Sequence, residues 1–378
     1  QGPRPAMEQT PEEQRPLLTG KSSEKQAPAL SGLFFVSVGT LCVIALRLNL
    51  TKILSQYDPE SDGAADDDVA FSKPIFFVFT YCAGQMLPLP FVGFPKQWEV
   101  PMQVKTLSVV LLFVGGSILE FAALVYLPVS YVMLLRAACT LFVTALGSAF
   151  ITRRSSLDFS MSCALFLVIG GAMVASSAQI DCNGVWNGSA AWWTIAALLS
   201  AVVHAAEQMM GEDVLKDVPE SHARKHMLQY SALCGLMGTG LTLGIMLIAQ
   251  VVPGWDNGSA EDTVETLRLL GASQVRSILA VSIILAASVL APASNYIIQN
   301  YGATTRESVL VFRIVAVWIV ACAIHVLFPY SGFGEEWDTA TAIWRLCGAA
   351  VTLVGLLLYL HFRMQRELQD AAERVRKV

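Results

Sequence analysis

Charge is what this sequence has least of. Asp, Glu, Lys and Arg supply 15% of its 378 residues, where soluble domains carry about 25%. Apolar types supply 54%, so a water-soluble globule is not expected. Lys and Arg form no run interleaved with aromatics, and the net charge is -5. Nucleic acid is therefore not an expected partner. Of the eight cysteines, Cys42, Cys82, Cys139, Cys163, Cys234, Cys322 and Cys347 lie in apolar runs and only Cys182 in a polar loop. No pair has metal-ligand spacing, which leaves no zinc site and no disulfide framework to expect. A nucleophile–base–acid set, a phosphate-binding glycine loop and a metal cluster are all missing from the pattern. The sequence does not read as an enzyme, and neither a cofactor nor a metal is expected. The first ~28 residues are polar and rich in Pro, Gln and Glu. They lack the layout of a signal peptide and read as a disordered tail.

What is abundant is long apolar runs. A spanning helix needs roughly 20 apolar residues, and such runs recur at about 30–53, 73–94, 104–126, 129–151, 158–178, 189–210, 227–252, 275–299, 306–328 and 338–361. The pattern predicts an all-α integral membrane protein with ten transmembrane helices, embedded in a lipid bilayer. Even span number puts both termini on one side. One set of connections is basic: Lys21 and Lys25, Lys96 and Lys105, Arg153 and Arg154, Lys216, Arg224 and Lys225, and Arg363 onward. The other set is acidic: Asp58 to Asp68, Glu261 to Glu265, and Glu335 to Asp338. Positive charge marks the cytosolic side, so both termini are expected there. The sequons at Asn187 and Asn257 then fall on the lumenal side as glycosylation sites. The tail carries Glu13-Gln14-Arg15-Pro16-Leu17-Leu18. Glu13 with Leu17 and Leu18 matches the acidic dileucine signal, which clathrin adaptors read on the cytosolic side when they sort cargo to endosomes, lysosomes or vacuoles.

Two segments share a grammar. Tyr126-Leu127-Pro128 leads through Arg136 to a Gly-bearing helix at Gly170-Gly171, and Tyr301-Gly302-Ala303 leads through Arg313 to another at Gly348 and Gly355. The second copy follows after five spans, an odd number, which inverts it in the membrane. Inverted repeats mark secondary transporters, whose solute site lies near the midplane. The expected organisation is a tail at 1–29, a first five-helix repeat at 30–178, a second at 189–361 and a basic tail at 362–378.

This grammar resembles the drug/metabolite transporter superfamily, and within it the solute carrier family 35 subfamily F and chloroquine-resistance-transporter-like proteins. The residues carrying the resemblance are Met133-Leu134-Leu135-Arg136 with Phe150 and Arg153-Arg154; Gln208-Met209 with Glu212; and Ala303-Thr304-Thr305-Arg306 with Val309, Arg313 and Trp318. It spans about Leu30 to Phe362. The segment Val252 to Gln274 lacks the cysteine pairs of the chloroquine-resistance transporters. The Lys-Arg phosphate clamp of the plastid triose-phosphate translocators is not reproduced. The resemblance implies a 5+5 inverted repeat, a central cavity lined by helices 1–4 and 6–9, and alternating access.

An arginine in hydrocarbon costs roughly 2.5–3.5 kcal/mol on insertion scales, so Arg136 and Arg313 need a reason. They are candidates for a cationic pair that holds a carboxylate or phosphate. The competing reading is an internal ion pair with Glu120, Glu207 or Glu307. Glu120, His204 and Glu207 are candidates for proton coupling, because His titrates near pH 6.5 and low dielectric raises a carboxyl towards that range. Gln85, Thr140, Gln208, Asn295 and Gln299 are candidates for cavity hydrogen bonds, with interhelical packing as the alternative. Arg306 and Glu307 are candidates for a cytosolic gate, with helix capping by Thr304, Thr305 and Glu307 as the plainer role. Arg47 reads as snorkelling to the lumenal interface.

The leading expectation is a secondary transporter in an endosomal or lysosomal membrane, moving an amino acid, small peptide or organic ion with a proton. A Golgi nucleotide-sugar carrier and a non-transporting membrane scaffold or receptor are the alternatives. Substrate and oligomeric state are not legible. Replacing Leu17-Leu18 with Ala-Ala is expected to move the protein from endolysosomal membranes to the cell surface. Microscopy checks this, and an unchanged location removes the sorting signal.

Overall fold

The computed structural model describes residues 30–56, 73–93, 100–127, 129–150, 158–177, 188–216, 223–256, 258–327 and 339–376. Glu13, Leu17, Leu18, Asn187 and Asn257 lie outside them. The described chain is almost wholly helical. In the first part run α1 (Leu30–Gln56), α2 (Pro74–Met86), the short α3 (Leu89–Val92), α4 (Val100–Tyr126), α5 (Val129–Phe150) and α6 (Phe159–Ser177). Then come α7 (Gly188–Lys216), α8 (Ala223–Val251), a short strand β1 (Pro253–Asp256) and α9 (Thr263–Ala272). The last are α10 (Gln274–Tyr301), α11 (Ala303–Leu310), α12 (Arg313–Leu327) and α13 (Thr339–Arg376). Hydrocarbon offers no partner to a backbone N–H or C=O, so a helix that satisfies itself is the form such apolar runs take.

The described residues of the predicted spans lie mostly in helix. Among the described residues, seven helical segments are long and apolar enough to cross a membrane. They lie in α1, α2–α3, α4, α8, α10, α11–α12 and α13. The described parts of α5 and α6 give shorter apolar stretches. α7 has 29 residues but carries His204, Glu207, Gln208 and Glu212, which dilute its apolar character. Large apolar side chains such as Phe34, Phe35, Phe91, Phe166 and Leu247 point outward and are exposed. That belt suits contact with lipid.

Several boundaries differ from the sequence expectation. The run 73–94 is interrupted by the turn at 87–88, which separates α2 from α3. The run 306–328 is broken, because the turn at 311–312 separates α11 from α12. The lumen-assigned connection after α8 is structured: β1 pairs with Ser259 around Gly258, and α9 follows. The tail expected from 362 is helical, since α13 continues to Arg376.

Packing follows a pattern of partners. α7 lies along α4 and α5, while α1 lies along α10 and α12. α2 packs on α10 and α8 packs on α4. α2 also packs on α8, and α6 on α13. The α6–α13 contact is close enough to need glycine. A Cβ on Gly348 would lie 2.3 Å from the Ala175 nitrogen and 2.5 Å from the Gly171 oxygen, distances no side chain tolerates. Gly116, Gly171, Gly235 and Gly238 likewise meet another helix, whereas Gly115, Gly170 and Gly240 face open space. Pro292 sits inside α10.

At one end of the bundle, α2 begins with a proline and no side-chain cap of its own. Glu261 supplies the cap from the segment before α9. Its carboxylate accepts the Ile75 N–H at 2.8 Å and the Phe76 N–H at 2.9 Å, where the helix end favours negative charge. Beside it Lys73 pairs with Asp256. Glu261 is 1% exposed. Burial pushes its carboxyl up to about 7, against the lowering by the two N–H groups and Lys73. A carboxyl raised above its unfolded value of about 4.3 favours the folded state below that pH, and this contribution is lost as pH climbs through about 7. The melting temperature of the purified protein is thus expected to fall by a few degrees between pH 5 and pH 8. Glu261→Gln, which has no proton to lose, is expected to flatten that slope. Equal slopes in the two proteins rule the assignment out.

Candidate functional site

Between the helices lies a cavity of about 110 Å³. It has space for several waters, or for one small solute in their place. Its wall draws side chains from α1, α2, α4, α5, α7, α8, α10, α11 and α12. Four arginines face it: Arg47, Arg136, Arg306 and Arg313. Two acids face it as well, Glu120 and Glu207.

The arginine of α5 is committed. Arg136 forms an ion pair with Glu120 of α4. Glu120 is 3% exposed, so in this setting a carboxylate without a cation would be costly. His204 of α7 stands behind the pair and is 1% exposed. Its Nε2 lies 3.5 Å from Glu120 Oε2, and its Nδ1 lies 3.4 Å from Glu207 Oε2. Gln208 Nε2 donates to the same Glu207 oxygen at 2.8 Å. A line of polar groups, Arg136–Glu120–His204–Glu207–Gln208, each within 3.5 Å of the next, therefore joins α5, α4 and α7. Small residues allow it. Gly116 presents bare backbone to the imidazole, and a Cβ there would sit 3.2 Å from His204 Nε2. Ser200 donates to the Gly116 carbonyl at 2.8 Å, and Thr140 to the Ala201 carbonyl at 3.3 Å.

The arginine of the second half is placed differently. Arg313 is the first residue of α12, at the break after α11. It is 6% exposed, and its Nε has no hydrogen-bond partner among the described residues. The two arginines thus share the cavity but not a role. The glutamate of Arg136 is Glu120, so Glu207 is excluded as its direct partner. The other polar candidates divide. Gln85, Gln208 and Asn295 line the cavity. Thr140 and Gln299 do not: Thr140 packs α5 on α7, and Gln299 donates to the Leu215 carbonyl at 3.4 Å. His204 reaches the cavity only through the two glutamates.

Arg306 and Glu307 pair with each other. Arg306 faces the cavity and Glu307 is buried. The capping expected of Thr304 and Thr305 is corrected by the structure. The N-cap of α11 is Gly302, at φ 88° and without a side-chain cap bond. Thr305 instead donates back to the Tyr301 carbonyl at 2.9 Å. The cap comes from Glu212, at the end of α7, which accepts the Ala303 N–H at 2.9 Å and also pairs with Lys216. Arg363 of α13 donates to the Tyr301 carbonyl at 2.6 Å and to Thr305. α7, α11 and α13 thus meet at a single helix start.

Sequence reasoning missed Arg47 as a cavity residue. Its guanidinium is 4.2 Å from the centre of the Tyr81 ring and faces the cavity, so it is not snorkelling to an interface. The nearby Asn49 Nδ2 donates to the Val317 carbonyl at 3.1 Å, which fixes α1 on α12. The only signal in the sequence was a third arginine in an apolar run, and periodicity does not say which way it turns. Tyr81, Tyr230 and Ser294 were missed for the same reason.

Breaking a buried pair by removing one member costs about 3–5 kcal/mol, while removing both together is often neutral. Arg136→Gln is accordingly expected to lower the melting temperature and yield of detergent-purified protein. The double change with Glu120→Gln should recover most of the loss. A double variant as unstable as the sum of the singles contradicts the pairing.

No protein-family model matches the sequence, and no curated protein does either. Among solved structures, one named "Crystal structure of protein" is similar, with a TM-score of 0.56 at 14% sequence identity, over 86% of this chain and 99% of that one. At such identity the likeness concerns the fold alone.

Proposed function

We propose that this protein is a secondary transporter that moves a small polar or charged solute across a membrane by alternating access, with protons as the coupling ion. The observation that carries the reading is the cavity: charged and hydrogen-bonding groups gathered at the centre of apolar helices drawn from both halves of the chain. Ionisable groups inside a membrane protein are expensive, and they mark pathways for solutes, ions and protons. A scaffold or receptor gains nothing from four arginines around an internal space.

Two further features support the reading. Exchanging α1 with α7, α2 with α8, α4 with α10, α5 with α11–α12 and α6 with α13 maps the helix partnerships onto one another: α1 on α10 becomes α7 on α4, and α1 on α12 becomes α7 on α5. That is the behaviour expected of a 5+5 inverted repeat, and it agrees with the resemblance to the drug/metabolite transporters. The second feature is the line Glu120–His204–Glu207. It offers a site where a proton and the Arg136 pair compete for one carboxylate, so that protonation loosens α4 from α5. The dileucine signal points to an endosomal or lysosomal-type membrane, with cytosolic termini.

The test is uptake by proteoliposomes of the full chain, with and without a pH gradient, over a panel of amino acids, dipeptides and small carboxylates. At least one solute is expected to accumulate severalfold over protein-free vesicles, and more so with the gradient imposed. Glu120→Gln is expected to abolish the effect of the gradient. Failure of folded, oriented protein to move any member of the panel would exclude the transport reading for those solute classes.

A further inference from the structure

The charges around the cavity do not balance. Arg136 is tied to Glu120 and Arg306 to Glu307. Among the described residues, Arg47 and Arg313 have no carboxylate partner: Arg47 rests on the Tyr81 ring, and the Nε of each finds no hydrogen bond. Four arginines set against Glu120, Glu207 and Glu307 leave one positive charge when His204 is neutral, and two when it is protonated. A buried guanidinium without a counter-charge is costly, so a vacant balance of this sign favours an anion in the cavity. The helix break adds to it. α12 starts at Arg313, so the start of its first turn lies at the break beside the cavity, although the Ala316 N–H is already taken by the Phe312 carbonyl at 3.0 Å. Broken membrane helices aim such ends at anionic solutes.

We propose that the cavity is an anion site, in which Arg47 and Arg313, one from each half of the chain, hold the carboxylate or phosphate group of a small solute. Arg136 is occupied by Glu120 and positions that carboxylate instead of touching the solute. Guanidinium matches both oxyanions through paired N–H bonds, so the two chemistries share one site. That the bound anion is the transported cargo rests on the reading above; the existence of the site does not.

Thermal unfolding of the purified full chain separates the two. Succinate, lactate and inorganic phosphate serve as anionic probes, and ethanolamine and glycerol as cationic and neutral ones. A ligand that binds only the folded state raises its melting temperature in proportion to occupancy. At least one anion is expected to stabilise the wild type, and the succinate and phosphate arms report which oxyanion is preferred. Arg313→Gln and Arg47→Gln are each expected to weaken binding of that anion by about tenfold or more, the loss of one hydrogen-bonded charge. Arg313→Lys keeps the charge without the planar fork and should fall between, which preserves the test if the Gln variant does not fold. Arg268→Gln, whose side chain is 79% exposed on α9, should bind like the wild type. No stabilisation by any anion, or stabilisation by ethanolamine or glycerol alone, overturns the anion site, as does unchanged affinity in both Gln variants. If an anion binds but none is taken up by proteoliposomes, the site stands and the transport reading falls. Should a neutral or cationic solute be transported with no anion bound, the reverse holds.

Discussion

A guanidinium in a low-dielectric interior cannot be left to itself, and much of the bundle is arranged around that constraint. Arg136 needs Glu120, Glu120 is the neighbour of His204, and His204 reaches Glu207. The first two steps cross from one helix to another and the third runs one turn along α7, so the polar line ties α5, α4 and α7 at a fixed register. Close approach is a precondition. Gly116 removes the side chain that would displace the imidazole, and Ser200 and Thr140 satisfy carbonyls along the same seam. Packing of small residues and burial of charge are therefore one arrangement. Lipid tails are as apolar as leucine, so helix contacts here lean on such close packing and interhelical hydrogen bonds.

The same economy governs two helix starts. α2 receives its cap from Glu261 and α11 receives its cap from Glu212. In both, the carboxylate comes from a different element. A local cap fixes only the helix it begins; a remote one also fixes the distance between two segments. Glu261 binds the first half of the chain to the structured connection after α8. Glu212 binds the end of α7 to the broken helix that carries Arg313. Both caps bear on segments that would have to shift if the halves moved against each other.

Much of the fold was legible because hydrocarbon imposes length and apolarity on every spanning run, and those are properties of sequence. The described chain is almost wholly helical for that reason, with seven helical segments long and apolar enough to cross a membrane. The break at 311–312 was not legible: Val309 to Val320 is apolar throughout except for Arg313, and nothing in it marks a turn. The site was half legible. Arg136 and Arg313 stand out by charge, and Gln85, Gln208 and Asn295 line the cavity. Thr140 and Gln299 were not separable from them, because a polar side chain in a membrane helix looks the same whether it faces a neighbour or a cavity. Arg47 failed for the opposite reason. Its helix is apolar on all sides, so no periodic stripe tells lipid from interior, and only the position of Tyr81 decides it. The Thr304-Thr305 cap failed because Gly302 with a remote glutamate does the same work.

The length of α13 has a consequence of its own. Its 38 residues rise 1.5 Å each, about 57 Å in all, well beyond the roughly 30 Å of a bilayer core. Its apolar, span-like segment is Ala342–Arg366, so the helix continues beyond it to Arg376, and Arg363 lies near the end of that segment. From there it grips the Tyr301 carbonyl. Force or crowding applied to the far end of the helix is carried to the start of α11, next to the cavity, and not absorbed by a loose tail. A partner that clasped the projecting end, or a fluorescent protein fused close behind Phe362, would act as a lever on the interior.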